Sequence, residues 1–224
     1  MLFGTLRMTT NSPRIPLAVK LAFTAFVAVL VPVYWRDYGP TNFLYFCDVS
    51  LLLTLVAVWK EDALLASIAA VGIVLPQTLW MADFIAEAFG LRLTGMTCYM
   101  YDGQYPLFTR FLSFFHFWLP LLLLWLVWRL GYDRRAWLWC AAGSWVLLLV
   151  CYFFMPPPPA PADNPNLPVN INYVHGFSLD GPQTMLPPLA YLGLMMLALP
   201  LALQAPAHFL LGRFFPPVRT AAAA

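Results

Sequence analysis

Apolar residues gather along this chain into six long runs separated by short polar joints. The runs cover 16–34, 42–59, 63–84, 108–128, 136–154 and 187–211. Each approaches the ~20 residues that an α-helix needs to cross a hydrocarbon core of about 30 Å, at about 1.5 Å per residue. The pattern predicts an all-α polytopic membrane protein: a six-helix transmembrane bundle over 16–211, preceded by the segment 1–15 and followed by the tail 212–224. The longest joint, 155–186, opens with four prolines, Pro156 to Pro159, whose extended geometry stops the fifth helix. The joint 86–105 mixes Gly, Thr and aromatics without a period and is expected to be a re-entrant or surface segment; the tail, with Pro216 and Pro217, is expected to fray. No internal repeat is evident.

Composition strengthens the membrane assignment. The 224 residues are 62% hydrophobic and 10% charged, so they lack the polar surface of a soluble domain. A net charge of +2 gives nucleic acid no handle. Nine of the twelve basic residues (Arg7, Arg14, Lys20, Lys60, Arg129, Arg134, Arg135, Arg213 and Arg219) fall on one side if the helices alternate, leaving Arg36, Arg92 and Arg110 opposite. Lys and Arg accumulate on the cytoplasmic side, which predicts both termini inside and the 155–186 joint outside in a multi-pass membrane protein. The first run resembles a secretory signal, but no small-x-small site follows it. Instead come Tyr34, Trp35, Arg36 and Asp37, an interfacial anchor, and a retained helix is expected. Cys47, Cys98, Cys140 and Cys151 have neither CxxC spacing nor the density of a disulfide framework, and are expected as free thiols.

The candidate chemistry lies in the few polar residues inside apolar runs, since a charge at a helix centre costs roughly 2.5–3.5 kcal/mol on insertion scales. They are Asp48 in the second run, Gln77 and Asp83 in the third, Arg110, Ser113 and His116 in the fourth, and Gln204 and His208 in the sixth. Alternating topology puts most of them in the outer leaflet, where Asn170, Asn172, Tyr173 and His175 of the long joint reach down. The expected site is an outward-facing polar cavity between helices two, three and four, capped by 170–177. Two arrangements fit it. Asp48 pairs with Arg110 or His116 as a structural ion pair, or it orients His116 beside Cys47, whose proton the imidazole takes. Gln204 and His208 are expected to be interface anchors, and Cys140 and Cys151 to pack.

No phosphate-binding glycine loop, HExxH or Cys/His zinc cluster occurs, and Asn172 lies in no glycosylation sequon. His116 and His208 belong to opposite leaflets and do not form a haem pair. A divalent metal on Asp48, Asp83, His116 and His175 is chemically admissible but weakly signalled. No metal site is assigned, the cofactor is left unknown, and membrane lipids are the expected partners.

Three short motifs, Leu44-Tyr-Phe-Cys-Asp48, Phe111-Leu-Ser-Phe-Phe-His116 and Asn170-Ile-Asn-Tyr173, occur in an order that resembles the YwaF-like bacterial integral membrane family and its animal relatives, among them a transmembrane ether-phospholipid acyltransferase. The resemblance covers about 42–173 and implies Cys47 and His116 as a catalytic pair, with Asn172 and Tyr173 matching an Asn-Tyr element. Tyr45 stands where many relatives carry His. The implied function is acyl transfer or hydrolysis on a lipid, with Cys47 as nucleophile, His116 as base, Asp48 as orienter and Asn172 or Tyr173 as oxyanion donors. The alternative is a non-enzymatic protein, a small transporter or an accessory subunit, with Asp48, Arg110 and His116 as a packing or proton-handling network.

Overall fold

A computed structural model describes residues 14–165 and 167–218, and every regular element in them is helical. The order is α1 (Leu17–Tyr38), α2 (Phe46–Lys60), α3 (Ala63–Ala88), α4 (Leu107–Leu112), α5 (Phe115–Leu130), α6 (Ala136–Phe154), α7 (Pro188–Ala198) and α8 (Ala205–Phe214). A π-helical turn, Leu199–Gln204, joins the last two. Five helical units, with α4 and α5 counted together and α7 and α8 counted together, are long and apolar enough to cross a bilayer. The chain is built as a multi-pass membrane protein. Its lipid-facing surface is correspondingly apolar: Leu21, Val29, Leu121, Val146 and Leu201 are all exposed.

Three runs differ from the sequence pattern. The second begins with a 3₁₀ segment, Pro40–Leu44, set up by Gly39 at φ +82° and by proline at the first position. That leaves α2 with 15 residues, or about 22 Å, short of a full span. The fourth is broken at Ser113 and Phe114, where bonding tightens to i→i−3 (Phe114 N–H to Phe111 C=O, 3.1 Å; His116 N–H to Ser113 C=O, 3.2 Å). The sixth carries the π turn at Pro200. Proline cannot supply the N–H that the Met196 carbonyl expects, and the Trp145 indole of α6 supplies it instead at 2.6 Å. Gln204, in this turn, is 1% exposed and donates to Ser144 Oγ at 2.7 Å. It therefore ties α8 to α6 and is no interface anchor.

α3 is the central helix and packs on α2, α5, α6 and α8. Small residues on it make this close approach sterically feasible: a Cβ on Gly72 would lie 3.4 Å from Cys140 Sγ and 3.7 Å from Ser50 Oγ. Its N-terminus is capped by Asp62, which accepts from Leu65 N–H at 2.9 Å. Residues 1–13 and 219–224, on which part of the terminal segments falls, lie outside the described residues. The tail from 215 to 218 does not fray. Pro216 C=O accepts from Tyr132 N–H at 2.7 Å and Val218 N–H donates to Tyr132 C=O at 3.3 Å. Gly131, at φ +92°, is the only residue type this contact admits, since a Cβ there would meet Val218 Cα at 2.6 Å.

One end of the bundle gathers the joints 61–62 and 131–135 with the α8 terminus, and with them most of the basic residues. Glu61 there accepts from Arg14 N–H (2.8 Å), Ile15 N–H (3.3 Å) and Lys20 Nζ (2.8 Å). The opposite end carries the long joints 89–106 and 155–187 and nearly all the unusual polar residues.

Candidate functional site

Asp48 occupies the first turn of α2, where a carboxylate is favoured by the unpaired N–H groups of a helix start. It is 2% exposed. Its Oδ2 accepts from Asn42 Nδ2 at 3.3 Å and from the Cys47 thiol at 3.8 Å, while Oδ1 is buried with no partner. Across the interface on α3, Gln77 is also 2% exposed, and neither atom of its amide has a partner. With Ser50 opposite Gly72, Asp48 and Gln77 lie within about one helical turn of each other in depth. Buried polar groups are rarely left unsatisfied, so three orphan atoms on two packed helices mark this as the most polar-deficient point of the bundle.

His116 opens α5 about a turn further along, stacked on Trp80 of α3 with centroids 4.6 Å apart. Its Nδ1 bonds the Ser113 carbonyl at 2.7 Å, which fixes the proton on Nδ1 and leaves Nε2 as the basic nitrogen. Pro120, four residues on, has no N–H for the His116 carbonyl, so the helix start is loosened at this point. Ser113 Oγ donates to Thr109 C=O and accepts from Tyr34 of α1 at 2.7 Å, joining α1 to the break between α4 and α5. Tyr99 packs beside Ser113 and Trp80, and burial pushes its phenol up.

The structure does not join these groups into a triad. Among the described residues the one hydrogen-bond partner of the Cys47 thiol is Asp48, and His116 bonds neither of them. Nor does Asp48 pair with Arg110: the four ion pairs among the described residues are Lys20–Glu61, Arg36–Asp37, Arg92–Glu87 and Arg135–Asp133. Arg110 Nη1 donates to Met100 C=O at 3.1 Å. The expected structural ion pair is thus replaced by a neutral contact with Asn42.

The other candidates organise backbone. Asp83 is fully buried and accepts from the N–H groups of Leu93, Thr94, Gly95 and Thr97 and from Thr97 Oγ1, at 2.7–3.3 Å. Both its oxygens are engaged in shaping the joint that follows α3. Asn170, at φ +49°, donates to Gly176 and Ser178 carbonyls and accepts from His175 N–H. Asn172, at φ +59°, accepts from Phe46 N–H at 3.0 Å and donates to Leu44 C=O at 2.8 Å and to Cys151 Sγ at 3.4 Å. Since α2 has no local side-chain cap, Asn172 caps it from 126 residues away, and its amide is not free to serve an oxyanion. Tyr173 accepts on its carbonyl from the Tyr191 hydroxyl, and Tyr45 packs with Leu44 and Phe46 against Leu148, Ile171 and Val174. His175 stacks on Tyr152 at 4.9 Å, and burial lowers its imidazole below the ordinary value, keeping it neutral at pH 7.

A groove of about 670 Å³ opens at this end of the bundle, lined by Phe84, Met100, Tyr101, Leu107, Phe108, Phe111 and Phe114, with Arg110 as its one charged member. It is apolar, and Cys47, Asp48 and His116 do not line it. Among the described residues no three His, Cys, Asp or Glu side chains converge on a metal position. All four cysteines are free thiols. Sequence reasoning missed Asn42, Tyr34, Trp80 and Tyr99 as neighbours of the candidate residues. Asn42 alone carried a signal, a polar residue six positions before Asp48.

Compared with protein-family models, with curated proteins and with solved structures, the chain finds no match in any of the three.

Proposed function

We propose that this multi-pass membrane protein is non-enzymatic, a small transporter or an accessory subunit, and that it works by binding and releasing a proton at Asp48. The observation that carries this is the Asp48 carboxyl itself, buried in α2 with no cation within 4.0 Å among the described residues and one oxygen unpartnered. An ionised carboxyl there would be costly, and the protonated form has an O–H to donate. A buried acid in a membrane bundle that pairs with no cation among the described residues and keeps one oxygen unpartnered is by default a functional-site candidate. Proteoliposomes holding a pH-sensitive dye test this under an imposed diffusion potential. Proton flux should be present in the parent protein, lost in Asp48→Asn and kept in Cys47→Ser. Flux in Asp48→Asn equal to the parent's would sink the proposal.

One observation favours the thiol-enzyme alternative that the YwaF-like resemblance implies. His116 has its proton fixed on Nδ1 by the Ser113 carbonyl, the tautomer a general base needs. On that proposal Cys47, after a movement that brings it to Nε2, gives its thiol proton to His116 and its sulfur attacks a lipid acyl ester carbonyl. A thioester forms, the ester C–O bond breaks, and the lysolipid alcohol leaves with the proton returned from His116. A thiol-reactive acyl probe should then label Cys47 at neutral pH and lose labelling in His116→Ala; labelling unchanged by that substitution removes this alternative.

A further inference from the structure

The groove beside α4 has an independent use. Arg110 sits one turn into α4, about 4.5 Å below the start of the span Leu107–Leu130, the depth at which headgroup meets acyl chain. It is half-buried and has no carboxylate partner among the described residues. Nη1 bonds the Met100 carbonyl, Nε is buried without a partner among the described residues, and Nη2 is left unbonded and accessible. A guanidinium in an apolar wall, with an N–H unused, is costly unless an anion meets it. Next to it Phe108, Phe111 and Phe114 turn their rings outward, 53%, 64% and 38% exposed, on the surface the helix presents to lipid. The volume, about 670 Å³, is that of a small-molecule site. One end of the groove is therefore cationic and the rest apolar, the shape of a single amphiphile with an anionic head.

We infer that this groove holds one anionic phospholipid of the surrounding leaflet, its phosphodiester on Arg110 and an acyl chain along Phe108, Phe111 and Phe114. The lipid is a resident ligand and not a substrate, since Cys47 and His116 do not line the groove. The phosphate takes the Arg110 Nη2 donor, which makes no hydrogen bond among the described residues and, unlike Nε, is not buried. A zwitterionic lipid offers the same phosphate with its own cation beside it, and is expected to hold less well.

Native mass spectrometry of the full chain released from detergent, with defined lipids added, tests this. Phosphatidylglycerol should be retained as a single adduct at about tenfold lower concentration than phosphatidylcholine, and millimolar inorganic phosphate should leave it in place, which separates lipid from free anion. Arg110→Gln should cut phosphatidylglycerol retention about tenfold and leave phosphatidylcholine unchanged, with Arg110→Lys in between. Equal retention of the two lipids by the parent chain overturns the inference without any variant. So does displacement by phosphate alone, or a folded Arg110→Gln protein that binds phosphatidylglycerol as the parent does.

Discussion

Asn172 gives the sharpest test of how the bundle is held, because one side chain joins the long joint to the start of α2. Its replacement by alanine leaves the Phe46 N–H and the Leu44 carbonyl without partners, both in part-buried positions. Each such loss costs about 1–3 kcal/mol, and water reaching a part-buried site argues for the lower half, so the pair contributes about 2–4 kcal/mol. Alanine also takes up φ +59° less readily than asparagine, which adds about 1 kcal/mol. The total is about 3–5 kcal/mol. At about 2–4 °C per kcal/mol for a chain of this size, Tm should fall by about 6–20 °C. The assay is thermal unfolding in detergent followed by size-exclusion chromatography with fluorescence detection. Two further variants separate the contributions. Asn172→Gly relieves the backbone but not the bonds and should recover about 1 kcal/mol over Asn172→Ala. Asn172→Asp keeps the acceptor for Phe46 but turns a carboxylate toward Leu44 C=O, and should be no better than alanine. A fall of less than about 2 °C in Asn172→Ala would show that α2 does not depend on this cap.

Two other outcomes follow from the same accounting. Asp83→Ala removes five accepted hydrogen bonds from the joint after α3, and amide exchange at Leu93, Thr94, Gly95 and Thr97 should rise at least about tenfold while the helices keep their protection; unchanged exchange there refutes the role given to Asp83. At the basic end, burial works to raise the Glu61 carboxyl, but the Lys20 ammonium and the amides of Arg14 and Ile15 outweigh it and hold the group below its ordinary value of 4.5. A lowered folded value means that its stabilisation is complete above 4.5 and is lost as pH falls through the folded value. Glu61→Gln should therefore melt lower than the parent at pH 7, by about 1–3 kcal/mol, and the difference should shrink on acidification below 4.5; a difference independent of pH refutes the assignment.

The membrane-spanning helices were legible in the order of residues because hydropathy is local: each run carries enough apolar surface to choose lipid before it meets another helix. The runs 63–84 and 136–154 illustrate this, becoming α3 (Ala63–Ala88) and α6 (Ala136–Phe154). The unusual polar residues were legible too, since Asp48, Gln77, Asp83 and His116 stand out against apolar neighbours. What they touch was not. Asp83 serves a turn ten to fourteen residues downstream, and Asp48 meets Asn42 and no arginine or histidine. Nothing along the chain shows that Trp145 answers the carbonyl opened by Pro200, or that Asn172 closes the start of α2. Those partners depend on the register and rotation of helices packed across the bundle. Hydrogen bonds reach about 3 Å, so a shift of one residue along a neighbouring helix is enough to change every one of them.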